Sequence, residues 1–288
     1  MPSGKQPSIV TVEPETNPML EHQKSSKPLA TPIPSATVMV IRDGAEGLEV
    51  FMLVRNRMVD FASGALVFPG GKVDASDEID AWTDLAPLEV SHPQRSYWVA
   101  SVRETFEETG LLIADHRGSG SAIGASDATR ITAASQANVA TGTLAFADLI
   151  AAEGLRIATQ RMVHFAHWIT PTTMPKRFDT HFFLASAPLG QNALHDGGET
   201  VESVWIKPLQ AIAEAEAGAR TLVPATTANL AKLAKARTVT EAFAQARSSR
   251  IVSITPVVSK ADGGVRITIP ADAGYDMTEL FVPRAVPA

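Results

Sequence analysis

The chain has 288 residues, 45% of them hydrophobic, which is enough for one large domain with additions or two small ones and excludes wholesale disorder. Its net charge of −6 and isoelectric point near 5.7 show no basic face of the kind a nucleic-acid binder carries. The lack of cysteine excludes disulfides, thiolate metal sites and cysteine nucleophiles. No stretch reaches the roughly 18 apolar residues of a membrane span. Neither a signal-peptide core nor a peroxisomal-type C-terminus is visible, so a soluble cytoplasmic protein is the expectation.

Residues 1–34 are rich in Pro, Ser, Thr and Lys without apolar periodicity, which predicts a disordered leader. The β-branched and apolar runs 36–41 and 48–54, separated by Arg42-Asp43-Gly44-Ala45-Glu46-Gly47, predict an antiparallel pair of strands. A third strand at 65–67 leads into a tight glycine loop, Phe68-Pro69-Gly70-Gly71. Residues 78–92 mix Asp, Trp, Leu and Pro and predict a short helix or an irregular flap. Ser91 and Pro93 suit a helix start, with Val99, Val102 and Phe106 as the apolar stripe that packs on the sheet. Gly110 suits the C-terminal cap of that helix.

On this helix Glu104, Glu107 and Glu108 stand three and four residues apart and share one face, turned away from the apolar stripe. Three like charges so placed repel each other, and a purely structural helix gains nothing from them. A hard divalent cation reverses the sign, because each added carboxylate then stabilises it. A solvated acidic face is the competing explanation.

Beyond the helix, 115–154 is rich in Ala, Ser and Gly with helical patterns at 127–137 and 146–152, and suggests an inserted helical subdomain or lid. Strands are predicted at 162–169, 178–185 and 201–206, and helices at 208–217 and after Pro224 and Thr238, the last with a Thr238-x-x-Glu241 capping box. Two further strand-like runs, 251–258 and 265–269, form a C-terminal extension beyond 237. The order of elements matches a mixed sheet between helices, an α/β fold.

Gly71 together with Arg103-Glu104-x-x-Glu107-Glu108-x-Gly110-Leu111 resembles the Nudix box, G-x5-E-x7-R-E-U-x-E-E-x-G-U, where U is a bulky aliphatic residue. Asp77 stands where the pattern has its first Glu, and Thr105 where it has its first aliphatic. Gly71 and Arg103 are 32 positions apart where the pattern has 14, an insertion of 18 residues. Such an insertion is typical of one branch of acyl-CoA diphosphatases, the Nudix motif nineteen type. The resemblance implies a Nudix-type α/β/α sandwich over 35–237, with its box at 71–111 and the insertion at about 78–92.

It also implies hydrolysis of a diphosphate linkage with Mg²⁺ or Mn²⁺. Glu104 and Glu108 would be direct ligands, Glu107 a further or water-mediated one, and the Gly71 carbonyl part of the shell. Arg103 cannot be a ligand and is expected to pair with a carboxylate. The acyl-CoA branch carries a second pattern before the box. Arg55, Gly64, Phe68 and Pro69 are in register with it, whereas Asp60 replaces its second Arg and Arg57 lies three positions earlier. Pro175-Lys176-Arg177-Phe178-Asp179-Thr180-His181 is similar to the branch's Pro-Arg-Phe-Asp-Thr-Arg core, with His181 in place of the last Arg. Arg55, Arg57, Lys176 and Arg177 are the candidate substrate contacts, and Glu199 or Glu202 could bring an extra carboxylate.

His164 and His167, three apart in a strand, are expected on opposite faces and hence as poor co-ligands. No metalloprotease, serine-hydrolase, Rossmann or P-loop motif is present. Three functions remain open. The first is a CoA or acyl-CoA diphosphatase releasing 3′,5′-ADP and (acyl-)phosphopantetheine. The second is a pyrophosphatase acting on ADP-ribose, dinucleotides or nucleoside triphosphates, and the third a Nudix-fold binding module without turnover. The implied partner is a small-molecule diphosphate, with neither nucleic acid nor membrane; a homodimer stays open.

Overall fold

The computed structural model of the chain describes residues 29–55, 65–88, 93–192 and 200–283. Residues 1–28 of the expected leader, with Arg57, Asp60, Gly64, Ser91 and Glu199, lie outside these segments. Strands β1 (Ile33–Gly44) and β2 (Gly47–Arg55) pair antiparallel, from Ile41↔Val50 to Gly44↔Gly47. Their apolar runs serve both faces at once. Ala36, Val38, Val40, Phe51 and Leu53 enter one core, and Met39, Ile41, Val50 and Met52 the other.

After β3 (Leu66–Val67), the expected glycine loop is instead a strand, β4 (Gly70–Lys72), paired antiparallel with β1 at Ala36↔Gly71. The glycines allow this close approach: a Cβ on Gly70 would fall 2.4 Å from the Ala36 carbonyl oxygen and from Thr37 Oγ1. The residues inserted in the box form a short helix, α1 (Trp82–Leu85), whose Trp82 and Leu85 are buried. Helix α2 (Arg95–Thr109) begins later than expected, with Gln94 as N-cap and Pro93 ahead of the first turn, and ends on Gly110 in the left-handed region.

Strands β5 (Ala114–His116) and β6 (Leu155–Ile157) pair antiparallel and bracket helices α3 (Ala125–Ala140) and α4 (Phe146–Ala152). This segment is part of the main core. Ile131, Val139, Phe146, Leu149 and Ile150 are buried with Val99 and Phe106 of α2. Thr132 Oγ1 donates to the Gly110 carbonyl at 2.8 Å and Gln136 Nε2 to the Glu107 carbonyl at 3.0 Å, satisfying groups that the end of α2 leaves open.

Strands β7 (Met162–Ile169), β8 (Phe178–Ser186) and β9 (Thr200–Ile206) follow, then helices α5 (Pro208–Glu216), α6 (Pro224–Leu233) and α7 (Val239–Ser248), and strand β10 (Ser253–Ile254). The eight-stranded sheet runs β10-β7-β8-β1-β2-β3, with β4 on β1 and β9 on β2. It is mixed, because β1–β8 and β10–β7 are parallel and the other pairs antiparallel. Helices α1 to α4 cover one face and α5 to α7 the other, giving the expected α/β/α sandwich. The C-terminal extension ends in a three-stranded meander, β11 (Val257–Ala261), β12 (Gly264–Thr268) and β13 (Glu279–Pro283). The extension does not stand apart: Ala242, Phe243 and Ile254 ahead of the meander, and Tyr275 between β12 and β13, belong to the second core. Among the described residues, no helix is long and apolar enough to cross a membrane.

Candidate active site

Helix α2 lays Val99, Val102 and Phe106 on the sheet with no solvent access. Burial goes further than the stripe. Every residue from Tyr97 to Arg103 is buried, and so is Thr105, whose hydroxyl donates to the Ser101 carbonyl at 2.7 Å. The glutamates expected to face outward are therefore half-buried, the Glu104 side chain 16% and that of Glu107 17% exposed. Strand β4 and the turn Ala75–Asp77 close over that side of the helix.

Arg103 organises the cluster. Its Nε and Nη2 donate to the two carboxylate oxygens of Asp77, each at 2.9 Å, and Nη2 also reaches the Lys72 carbonyl at 2.9 Å. Nη1 donates to Glu104 Oε1 at 3.0 Å and to Glu107 Oε1 at 3.1 Å. Asp77 is itself held, accepting from the Asp74 N–H at 2.9 Å. Burial works against the charge of Arg103, but Asp77 first and then the glutamates raise its pKa. Burial likewise pushes Glu104 up to about 7, against the pull of Arg103 and with the repulsion of Glu107 and Asp77. Glu107 is raised for the same first reason.

The glutamates meet the glycine strand. Gly70 N–H donates to Glu108 Oε2 at 3.0 Å, and a Cβ on Gly71 would fall 2.4 Å from Glu104 Cδ. Asp77, Glu104 and Glu107 share one guanidinium, and Glu108 adds another negative charge beside the backbone. Hard oxygen donors in negative excess fit a divalent cation of the Mg²⁺ type. The donors are not drawn into one tight set, because Arg103 holds Glu104 and Glu107. Among the described residues, only His167, Asp179 and His181 bring three ligand atoms within 4.8 Å of each other.

Of the expected substrate contacts, Lys176 and Arg177 do not face the glutamate cluster together. Arg177 is buried and spends its guanidinium on the Thr170 and Ala30 carbonyls, both at 2.9 Å, so it fastens the chain rather than facing a ligand. Lys176 is exposed, with Nζ 5.5 Å from the centre of the Phe178 ring. Arg55 ends β2 beside the sheet partner Thr200. Glu202 pairs with Arg220 through two contacts of 2.9 and 3.1 Å. In the sequence Asp77 is a departure from the box pattern, and its acidic character six positions after Gly71 is the signal for its role. His164 and His167 correct another expectation. A bulge between His164 and Ala166 resets the alternation, and both histidines lie against His181.

A mixed sheet lies between two helical layers, with a carboxylate-bearing helix clamped against a Gly-Gly strand by a buried arginine, and this architecture is that of the Nudix fold. The family model for the NUDT19 Nudix domain matches residues 93–233. A protein of Caenorhabditis elegans described as putative nudix hydrolase 7 is 29% identical over 188 residues, 65% of this chain and 56% of that protein. The chain thus spans little more than half of that relative. The crystal structure of a NUDIX hydrolase from Alicyclobacillus acidocaldarius is similar with a TM-score of 0.64 and 28% identity, over 75% of this chain and 96% of that one. The family model and both likenesses support a Nudix hydrolase of the NUDT19-like type.

Proposed function

We propose that the protein hydrolyses a diphosphate linkage with the help of Mg²⁺ or Mn²⁺, and that its substrate is CoA or an acyl-CoA, cut to 3′,5′-ADP and (acyl-)phosphopantetheine. The observation that carries this reading is the cluster of Glu104, Glu107 and Glu108 against Gly70-Gly71, anchored by the buried Arg103–Asp77 pair. Glu104 and Glu108 would hold the ion, with Glu107 and the Gly71 carbonyl completing an oxygen set. When bound, the ion neutralises diphosphate charge and eases deprotonation of water. The chain supplies position. Arg103 holds the carboxylates of Glu104 and Glu107, and Gly70 N–H holds Glu108. The water oxygen attacks one phosphorus, the bond from that phosphorus to the bridging oxygen breaks, and the water proton passes to the carboxylate cluster as a whole.

The CoA assignment is supported by the NUDT19-type match and by Arg55, Gly64, Phe68 and Pro69. Asp60, an anion where the acyl-CoA pattern has a cation, favours the second reading, hydrolysis of ADP-ribose, a dinucleotide or a nucleoside triphosphate. Measuring kcat/KM for CoA, dephospho-CoA, ADP-ribose, diadenosine polyphosphates and deoxynucleoside triphosphates separates them. A charge-assisted contact to the 3′-phosphate is worth about 1.5–3 kcal/mol, so CoA should exceed dephospho-CoA by at least about tenfold. ADP-ribose as the best substrate would move the assignment to the second reading. Undiminished turnover in Glu108→Gln at saturating Mg²⁺ would remove the metal-dependent site altogether.

A further inference from the structure

Two histidines and an aspartate converge on the sheet face that α2 covers, outside the glutamate cluster, and a third histidine, His164, touches one of them. The bulge in β7 turns His164 and His167 to this face, where His181 of β8 lies opposite His167. His181 Nδ1 is 2.9 Å from His164 Nε2, and the His167 and His181 rings stack with centres 3.9 Å apart and planes within 10°. His167 Nε2 is hydrogen-bonded to Asp179 Oδ1, and the ligand atoms of His167, Asp179 and His181 all lie within 4.8 Å. Ser253 Oγ, 2.7 Å from His167 Nδ1, fixes the ring so that Nε2 points at the aspartate. His181 and His167 are 2% and 7% exposed, while the Asp179 side chain is 29% exposed and leaves a way in for a small ion.

Register places this cluster relative to the first site. Gly71, Ala36, His181, His167 and Ser253 are successive partners across β4, β1, β8, β7 and β10, so their side-chain positions share one face. Two strand spacings put His181 about 10 Å from Gly71. The helix above matches: Tyr97 packs on His181 with ring centres 4.3 Å apart, and Glu104 lies over Gly71. Seven residues of helix between them rise about 10.5 Å.

We propose that His164, His167, His181 and Asp179 form a binding site for a divalent transition-metal ion of the Zn²⁺ class, separate from the glutamate cluster. Imidazole nitrogens with one carboxylate suit Zn²⁺ or Co²⁺, whereas the all-oxygen glutamate set suits Mg²⁺. The two sites would thus select ions by chemistry. Zn²⁺ replaces the mutual contacts of the four side chains with bonds to itself, and Ser253 keeps its place as the partner that orients a ligand. The bound ion ties β7 to β8 and, through Ser253, to β10.

The test uses the full chain stripped of metal and then saturated with Mg²⁺, titrated with Co²⁺ by visible absorption and with Zn²⁺ by calorimetry. One equivalent should bind, with a Co²⁺ ligand-field band. Binding should vanish in His167→Gln and His181→Gln, persist in Glu104→Gln and Glu108→Gln, and weaken by about tenfold in Ser253→Ala. If circular dichroism shows that the buried-histidine variants fail to fold, the half-buried His164→Gln and the Ser253→Ala variant decide the matter. Absence of the Co²⁺ band, binding unchanged in the folded histidine variants, or binding lost only in the glutamate variants would each overturn the proposal.

Discussion

Asp77 and Arg103, 26 positions apart in the chain, meet through two hydrogen bonds of 2.9 Å with both side chains buried. The fork of the guanidinium fixes its plane, and the nitrogen left over aims at Glu104 and Glu107. The aspartate that departs from the box pattern is thus what holds the box together.

Asp77→Asn keeps the shape of this pair and removes one charge. Breaking a buried ion pair costs about 3–5 kcal/mol in general. Arg103 keeps Glu104 and Glu107 as partners, so the expected loss is at the low end, about 3 kcal/mol by urea denaturation. Activity should fall as well, because a guanidinium no longer fixed by the Asp77 carboxylate orients the two glutamates less strictly. A loss below about 1 kcal/mol would place the pair with ordinary surface ion pairs and contradict its role as an anchor.

Gly71 offers a cleaner separation of activity from stability. The three atoms nearest an added methyl group would all belong to the Glu104 carboxylate, the movable end of a side chain, with Cδ at 2.4 Å. Gly71→Ala should therefore push that carboxylate aside and leave the fold intact. A displacement of this size at a reacting centre costs on the order of a hundredfold in kcat/KM, with little change in melting temperature. Full activity in the variant would show that Glu104 need not sit against β4.

Burial of Lys232 leads to a pH dependence of definite expected sign. Its Nζ donates to the Phe165 carbonyl at 3.1 Å and lies 4.8 and 5.1 Å from the centres of the Phe165 and Tyr275 rings. Burial first, and the nearby Lys235 second, lower its pKa from 10.5 to about 8. The folded chain therefore penalises the ammonium form. That penalty is complete below about pH 8 and disappears as pH rises from about 8 to 10.5, so stability gains across this window. Lys232→Met should lack that gain and compare most favourably with the wild type near neutrality. Parallel unfolding free energies for the two proteins at about pH 7 and about pH 9.5 would show that the lysine is not desolvated.

Much of this was legible along the chain, for reasons that particular residues show. The runs at 36–41 and 48–54 are β-branched and apolar on both faces, so the central strands declared themselves. The glutamates did so through helical spacing, which is a local property. What could not be read was set by partners far away in sequence. Gly70-Gly71 has the composition of a turn, yet pairs with β1, where position 70 leaves room only for glycine against Ala36 and Thr37. The bulge at His164 has no Gly or Pro to mark it and exists only in relation to β8. The half-burial of Glu104 and Glu107, and the role of Asp77, likewise depend on elements folding back over α2.

Tyr275 tests whether the segment beyond 237 belongs to the domain. Its hydroxyl donates to Asn229 Oδ1 at 2.6 Å and accepts from Trp168 Nε1 at 3.0 Å, joining the C-terminal segment to α6 and β7. Asn229 is fully buried, and its Nδ2 has no hydrogen-bond partner among the described residues, so the remaining bond matters. Tyr275→Phe keeps the edge-on packing against Trp168, with ring centres 5.6 Å apart, but strands a buried donor and a buried acceptor. The cost should be about 1–3 kcal/mol, in one cooperative urea transition shared with the rest of the chain. An unchanged midpoint would mean that the segment docks without contributing. A second, earlier transition confined to the variant would mean that the C-terminal part unfolds as a unit of its own.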